Sequence, residues 1–385
     1  MLLNSLAMQL AGITRDTPVP PGGEILKDAD GEPIGIVKDT AKNLVYSVIP
    51  KPGDADIDAA IREGIAYGLS QGVTQVHVKE KDWVTQHSLR RIRAAGETDM
   101  RFYSYVPLAD WQELASLVEE EGRGDDWVRW GGLKGYVDGS LGSRTALFAE
   151  PYLDDPSTRG FTVNDLDDLQ GWITDADRIG LQLAVHAIGD EANSKLLDMF
   201  AATIARNGPR DRRSMIEHAQ HVDPVDFPRF AELDVIPSMQ PFHAIDDGRW
   251  AVNRIGPERL HGTYAFKSLA DHGALMSFGS DWPVAPLNPM TGIVAAVLRQ
   301  TVDGANPDGW IPEEKMAVEA ALVAYTVNNA YAGFQDDRLG VIAPGMLADF
   351  VVLDRDPTAI APIELTSTQV LRTVVDGVPR YDTLA

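Results

Sequence analysis

The sequence contains no cysteine among its 385 residues. Disulfide bonds, thiolate metal sites and cysteine nucleophiles are therefore excluded, and a bound metal must be held by His, Asp, Glu or a modified Lys. The sequence also lacks an uncharged apolar run that approaches the roughly 20 residues of a membrane span. Basic residues are few, 34 against 57 acidic ones, and a formal net charge of −23 repels nucleic acid and anionic lipid. We therefore expect neither nucleic acid nor a membrane as a partner.

The first residues carry no basic leader. The apolar segment 1–13 is interrupted by Asn4, Ser5 and Gln9, which is not typical of a signal peptide. It has the pattern of an amphipathic helix within a domain, and we expect a cytoplasmic protein.

The residue pattern divides the chain into three regions. Residues 1–53 combine this helix with a predicted hairpin that turns at Asp30-Gly31. Residues 54–335 alternate helical segments with seven short apolar runs, which predicts parallel strands. Residues 336–385 contain predicted strands at 339–342, 349–353 and 370–375 with no helices between them. We expect an α/β fold with a parallel sheet or barrel, followed by a small β module.

Polar side chains close most of the seven apolar runs. Two of these runs, 181–186 and 214–218, end in His186 and His218, about one strand–helix–strand unit apart. In α/β barrels and open α/β sheets, ligands bind at the carboxyl ends of the strands. The other polar residues at predicted strand ends are His77, Lys134, Asp138, Gln240, His243 and Asp281.

Each of these residues has a structural explanation when taken singly, such as a hydrogen-bonded histidine or an aspartate that caps a helix. Together, Lys134, His186, His218 and Asp281 on one rim favour a divalent-metal site, because imidazole and carboxylate groups are metal ligands. The lysine fits such a site only if it is deprotonated or carbamylated.

The motifs around these residues resemble the YtcJ-like branch of the amidohydrolase superfamily, which includes N-substituted formamide deformylases. The matching motifs are Gly-Gly-Leu-Lys-Gly-Tyr-Val-Asp-Gly-Ser-Leu-Gly-Ser-Arg (131–144), Val-His-Ala-Ile-Gly-Asp (185–190), Ile-Glu-His-Ala-Gln (216–220), Ser-Met-Gln-Pro-Phe-His (238–243), Phe-Gly-Ser-Asp-Trp-Pro-Val (278–284) and Leu-Gly-Val-Ile-Ala-Pro-Gly-Met-Leu-Ala-Asp (339–349). The resemblance covers nearly the whole chain. It implies a TIM-like metal-dependent hydrolase barrel with a small β-sandwich beside it.

The resemblance also implies roles for individual residues. Lys134 would be a carboxylated metal bridge, and His186 and His218 would be metal ligands. Asp281 would bind metal and, as the catalytic residue, take the proton from the attacking water. The implied cofactor is one or two divalent cations, with zinc preferred. His243 and Arg144 would face the substrate, although a structural salt bridge explains Arg144 equally well.

The sequence departs from the family pattern at one motif. The family carries His-X-His at the end of the first barrel strand, whereas no two of the eight histidines here are separated by one residue. The sequence predicts seven parallel strands, whereas the family barrel has eight. Both departures indicate that the first barrel strand is missing. We therefore expect a barrel that lacks strand one, with exposed edges on strands two and eight and only the carboxyl-terminal strands of the sandwich. A misassigned start codon, a degraded gene and a functional remnant are the three explanations.

Two functions follow from these observations. The first is a metal-dependent hydrolase of a non-peptide C–N bond, in an amide or formamide, whose activity is in question without His-X-His. The second is a catalytically inactive relative that binds a small molecule or a partner covering the open edge. The identity of the substrate and the oligomeric state, a homo-oligomer included, stay open.

Overall fold

The computed structural model describes residues 1–384. Its strands are β1 Gly23–Lys27, β2 Pro33–Asp39, β3 Gln75–Lys79, β4 Arg101–Pro107, β5 Val128–Tyr136, β6 Gln182–Ala187, β7 Met215–His218, β8 Ile236–Met239, β9 Ser277–Phe278, β10 Phe350–Leu353, β11 Val370–Val375 and β12 Val378–Asp382. Its α-helices are α1 Ser5–Leu10, α2 Asn43–Tyr46, α3 Asp54–Ser70, α4 Val84–Ala94, α5 Trp111–Glu121, α6 Leu166–Arg178, α7 Asp190–Asn207, α8 Phe227–Glu232, α9 Pro241–Asp247, α10 Ala251–Ile255, α11 Phe266–Asp271, α12 Pro289–Leu298, α13 Val318–Tyr325 and α14 Val327–Ala332.

Strands β3 to β9 form one parallel sheet in chain order, which confirms the seven strands predicted from the sequence. The sheet is strongly curled. Lys79 on β3 lies 2.7 Å from Glu217 on β7, although four strand spacings would separate these strands by about 19 Å in a flat sheet. The curl brings side chains from distant strands into one interior. The result is the α/β, barrel-like architecture expected from the sequence.

Alternation along the strands separates the sheet interior from the helical layer. On β6, Leu183 and Val185 belong to the main hydrophobic core, which also contains Leu169 of α6 and Leu196 of α7. Ala184, between them in sequence, belongs to a separate cluster with side chains from β4, β7 and β8. Because successive strand residues point to opposite faces, His186 shares the inner face with Ala184. The helices therefore cover the outside, and the polar site residues lie inside.

The two ends of the sheet are not joined. Within residues 1–384, no hydrogen-bonded ladder connects β3 with β9, so both are edge strands, as the sequence predicted for strands two and eight of the barrel. The gap between them opens the sheet interior on one side.

The amino-terminal region has its own small core. Strands β1 and β2 pair antiparallel around the turn predicted at Asp30-Gly31, and Gly31 has a φ of 83°. Leu3, Ile25 and Val37 are buried together in a cluster separate from the main core. This region therefore folds mainly upon itself.

The carboxyl-terminal strands β10, β11 and β12 form a three-stranded antiparallel sheet. A buried ion pair fastens it to the large sheet, since Nε of Arg101 at the start of β4 lies 2.6 Å from Oδ2 of Asp349. The same guanidinium donates a hydrogen bond to the carbonyl oxygen of Asp126 at 2.9 Å. The small sheet therefore packs near the amino-terminal end of β4.

Two sequence predictions of local structure are wrong. Residues 339–342 form no strand, because Gly340 has a φ of 94° and packs its backbone against α14, where an added Cβ would lie 2.9 Å from Cβ of Ala330. His77 does not end its strand, because β3 continues to Lys79 and pairs with β4 as far as Tyr105. His77 is therefore an interior residue in the middle of the strand.

Among residues 1–384, no helix combines the length and the apolar character needed to cross a membrane.

Candidate metal centre

A cavity of about 1620 Å³ extends from the carboxyl ends of the parallel strands along β3 to α3 and the small carboxyl-terminal sheet. Five of the six site residues implied by the family resemblance line this cavity together: Lys134, His186, His218, His243 and Asp281. They come from β5, β6, β7, the first turn of α9 and the loop after β9. Because the strands are parallel, residues up to 147 positions apart in the sequence lie together at one rim of the sheet.

His218 reaches the cavity through an unusual backbone conformation. Glu217 is buried and contacts Lys79 in the interior, so regular alternation would turn the next side chain to the outer face. His218 instead has a φ of 77°, and Ala219 follows with a φ of 42°. This turn brings the imidazole ring back to the inner side, where its centroid lies 4.6 Å from that of His186.

Hydrogen bonds orient the two imidazoles differently. Nδ1 of His218 lies 2.7 Å from Oε1 of Gln240, an acceptor, so Nδ1 carries the proton and Nε2 keeps its lone pair. Nε2 of His186 lies 2.9 Å from the carbonyl oxygen of Gly139 and 3.4 Å from Oδ1 of Asp138. Both neighbours are acceptors, so Nε2 of His186 carries its proton and points at them.

Asp281 and His243 face each other across the cavity mouth. Nε2 of His243 lies 3.9 Å from Oδ2 of Asp281, and their side chains are 14 % and 41 % exposed. Burial lowers the pKa of His243, while the neighbouring carboxylate acts in the opposite direction. Burial raises the pKa of Asp281, against the opposing effect of His243. A carboxylate with a raised pKa holds a proton more readily.

Lys134 lies deeper in the cavity, with Nζ 4.8 Å from the ring centroid of Tyr136. Burial lowers its pKa to about 8, with Glu217 acting against the shift and Lys79 adding to it. Burial opposes ionisation of Glu217, yet the ammonium groups of Lys79 and Lys134 hold its pKa below the usual value. The interior beneath the rim thus contains two ammonium groups and one carboxylate.

Arg144 does not line the cavity. Its guanidinium donates to Asp154 from Nε at 3.1 Å and from Nη2 at 2.8 Å. Of the two interpretations left open for Arg144, the salt bridge is the one that describes this geometry.

Sequence reasoning missed the Lys79–Glu217 ion pair and gave Asp138 no role. Glu217 was visible as a charge within the apolar run Met-Ile-Glu-His, but nothing in the sequence identified its partner. Asp138 accepts hydrogen bonds from the backbone N–H groups of Leu147, Ile188 and Gly189. It therefore fixes the loop after β5 against the start of α7.

The donor set fits a divalent cation of the zinc type. One ring nitrogen each of His218 and His243 and one carboxylate oxygen of Asp281 lie within 4.8 Å of one another. Among the residues that the structure describes, no hydrogen-bond partner reaches the buried Nε2 of His243. Two imidazoles and a carboxylate are ligands that zinc takes, and a cation would satisfy this orphaned nitrogen.

Comparison with known proteins identifies the family of the chain. A family model described as "Amidohydrolase family" matches residues 1–381. A crystal structure of an uncharacterized metal-dependent hydrolase from Pyrococcus furiosus superimposes with a TM-score of 0.74 at 32 % identity, covering 93 % of this chain and 70 % of that one.

Three relatives align with nearly the whole chain. Protein LONG AFTER FAR-RED 3 of Arabidopsis thaliana is 38 % identical, with 99 % of this chain and 67 % of that protein covered. Putative amidohydrolase YtcJ of Bacillus subtilis (strain 168) is 35 % identical, with 99 % and 72 % covered. N-substituted formamide deformylase of Arthrobacter pascens is 30 % identical, with 98 % and 71 % covered. The motifs, the curled parallel sheet and these matches together show that the chain belongs to the amidohydrolase family.

Proposed function

We propose that this amidohydrolase-family chain is a metal-dependent hydrolase of non-peptide C–N bonds, with amides or formamides as substrates. The observation that carries the proposal is the grouping of His218, His243 and Asp281 within 4.8 Å of one another at the cavity rim. The relative named N-substituted formamide deformylase supports the class of bond.

A divalent cation, zinc in this proposal, supplies Lewis-acid polarisation of the substrate carbonyl and lowers the pKa of water. Asp281 is the general base and then the general acid, taking a proton from the attacking water and giving it to the leaving nitrogen. Its raised pKa suits this role, because the carboxyl must hold the proton between the two steps. Its 41 % exposure leaves it accessible from the cavity.

Two polar residues orient the histidines of the site. Gln240 fixes the proton of His218 on Nδ1 and so directs Nε2 at the site. Asp138 holds the loop beside His186 through three backbone hydrogen bonds. Phe242 and Trp250 line the same cavity and offer apolar surface for the organic substituent of an amide.

The experiment measures hydrolysis of a panel of N-formyl and N-acyl amines by the full chain loaded with Zn²⁺, before and after treatment with a chelator. We expect turnover that the chelator abolishes and that restored Zn²⁺ recovers. Asp281→Asn should lower kcat by at least ~100-fold, in line with the loss of a general acid–base. Asp303→Asn, at an exposed loop position, is the matched control and should retain full turnover.

The second candidate is a relative that binds a small molecule without catalysis, and the absence of His-X-His from the sequence favours it. A Zn²⁺-loaded, folded chain with no turnover on any member of the panel would establish this candidate and refute the hydrolase.

A further inference from the structure

Asp247, the last residue of α9, is a carboxylate in the cavity wall that has only neutral partners. Its Oδ2 accepts hydrogen bonds from the hydroxyl group of Tyr264 at 2.7 Å and from Nε2 of Gln220 at 2.9 Å. Arg249, two positions later, pairs with the neighbouring Asp246 instead. Within residues 1–384, Asp247 therefore takes part in no ion pair, and its negative charge is not compensated by the protein.

The second oxygen of Asp247 opens on the cavity. Within the described part of the chain, both hydrogen bonds to the carboxylate end at Oδ2, and Oδ1 has no donor. Unlike Nε2 of His243, Oδ1 is not sealed from solvent. Burial raises the pKa of Asp247 to about 6, against the opposing hydrogen bonds of Tyr264 and Gln220. The carboxyl is therefore mostly ionised at neutral pH, with a free oxygen toward the cavity.

Aromatic side chains lie beside this carboxylate. Phe242 in α9 and Trp250 at the start of α10 line the same cavity. The guanidinium of Arg254 lies 5.7 Å from the ring centroid of Trp250, but its charge is directed at Asp154. A carboxylate next to aromatic rings is a combination that binds ammonium groups, because the ring faces attract cations and the carboxylate accepts a charge-assisted hydrogen bond.

The charges that line the cavity are unevenly distributed. Its three lysines lie among three carboxylates on one side: Lys79, Lys81 and Lys134 with Glu80, Asp82 and Glu217. The segments after β8 and β9 contribute three carboxylates, Asp246, Asp247 and Asp281, and within residues 1–384 no lysine or arginine of these segments lines the cavity. The potential on the α9 side therefore favours a cationic group over a neutral one.

Asp247 lies close to the candidate metal centre without belonging to it. It follows His243 by four residues in α9, so both side chains lie on one face of the helix, about 6 Å apart along its axis. A substrate with its amide group at the metal centre would thus place part of its substituent near Asp247.

We propose that Asp247 binds a protonated amine of the substrate, so that the preferred substrates are amides or formamides whose substituent carries a second, cationic nitrogen. This inference rests on the proposed hydrolase function and names its substrate class. Phe242 and Trp250 contact the apolar part of the substituent, and Asp247 selects its charge.

The experiment compares the binding of two methanesulfonamides, which the enzyme does not hydrolyse, to the Zn²⁺-loaded full chain by titration calorimetry. The first is para-(aminomethyl)benzyl methanesulfonamide, which carries an ammonium group at neutral pH. The second has a hydroxymethyl group at that position and is neutral. We expect the cationic compound to bind at least ~10-fold more tightly, as for a hydrogen bond between charged groups. Asp247→Asn, which keeps an acceptor for Tyr264 and Gln220, should remove this preference.

Two further variants separate the charge of Asp247 from a structural role. Asp246→Asn is the matched control, because Asp246 is 43 % exposed and already paired with Arg249, and it should keep the preference. Asp247→Glu keeps the charge and should retain a preference for the cationic compound, whereas a purely structural role would lower the affinity for both compounds alike. Circular dichroism checks that each variant is folded.

Equal binding of the two compounds by the wild type, or binding of neither, would overturn the inference even if Asp247→Asn fails to fold. An unchanged preference in folded Asp247→Asn, or the same loss in Asp246→Asn, would also overturn it. Hydrolysis of the two corresponding formamides tests the proposed function separately. Equal kcat/KM for both would leave the function standing without the inference. Preferential binding of the cationic sulfonamide with hydrolysis of neither formamide would refute the function and leave the ammonium site standing.

Discussion

The ammonium nitrogen of Lys79 lies 2.7 Å from Oε1 of Glu217, and the two side chains are 16 % and 5 % exposed. Lys79 enters from the edge strand β3, and Glu217 comes from β7 in the middle of the sheet. The contact therefore spans the interior of the curled sheet and links the edge strand β3 to β7, two strands that share no backbone ladder within residues 1–384.

Lys79→Met should destabilise the fold, because it leaves the Glu217 carboxylate buried without its partner. Breaking a buried pair in this way costs about 3–5 kcal/mol. The double variant Lys79→Met/Glu217→Gln removes both charges and should recover most of that loss. Urea unfolding followed by tryptophan fluorescence measures the cycle. A single variant as stable as the wild type would show that the pair contributes nothing to the curled shape.

Arg101→Met should loosen the carboxyl-terminal sheet. Arg101 and Asp349 are 1 % and 3 % exposed, so the change leaves a buried carboxylate and should cost about 3–5 kcal/mol. Arg338→Met is the matched control, because Arg338 pairs with Asp126 at the surface and such pairs contribute about 0–1 kcal/mol. Limited proteolysis should cut the Arg101 variant near residue 349 first. Equal protease resistance in the two variants would contradict this anchoring role.

Acid should destabilise the wild type partly through His77. Burial lowers the pKa of His77 to about 3, whereas the unfolded chain takes up this proton near pH 6.5. Its contribution to stability is therefore complete above pH 6.5 and falls by about 1.4 kcal/mol for each pH unit below it. Between pH 7 and pH 5, His77→Leu should lose about 2 kcal/mol less unfolding free energy than the wild type. Identical losses in both proteins would disprove the protonation of His77 on unfolding.

Gln240→Leu should weaken metal binding without removing a ligand. Oε1 of Gln240 fixes the proton of His218 on Nδ1, and loss of such a partner typically costs 10–100-fold in metal affinity. Chelator competition with Zn²⁺ measures the change, and Gln112→Leu, on the exposed face of α5, is the control. Unchanged affinity would mean that His218 needs no orienting partner.

The sequence was sufficient to predict the seven parallel strands, because each is a short apolar run between helical segments. It also predicted that His186, His218 and Asp281 would share one rim, since the carboxyl ends of parallel strands meet at the same edge. The side-chain directions at that rim were not predictable. His218 faces the cavity only because of its positive φ. The spacing of residues in the sequence does not predict a positive φ at a histidine.

The interior charges were missed for a related reason. The sequence predicted that this strand ends at His77, so Lys79 was interpreted as a residue beyond the strand. Its partner Glu217 lies 138 positions later, and only the curl of the sheet brings them together. Contacts of this kind depend on tertiary geometry rather than on any local pattern.

His218 and Asp281 have φ values of 77° and 59°, in a region that side chains with a Cβ rarely adopt. Glycine would relieve this strain, which costs about 1–3 kcal/mol at such positions. A library of variants sorted only for resistance to heat should therefore accumulate glycine or asparagine at both positions. The same library sorted for retained metal should return histidine and aspartate. At these two positions, selection for thermal stability and selection for metal binding therefore favour different residues.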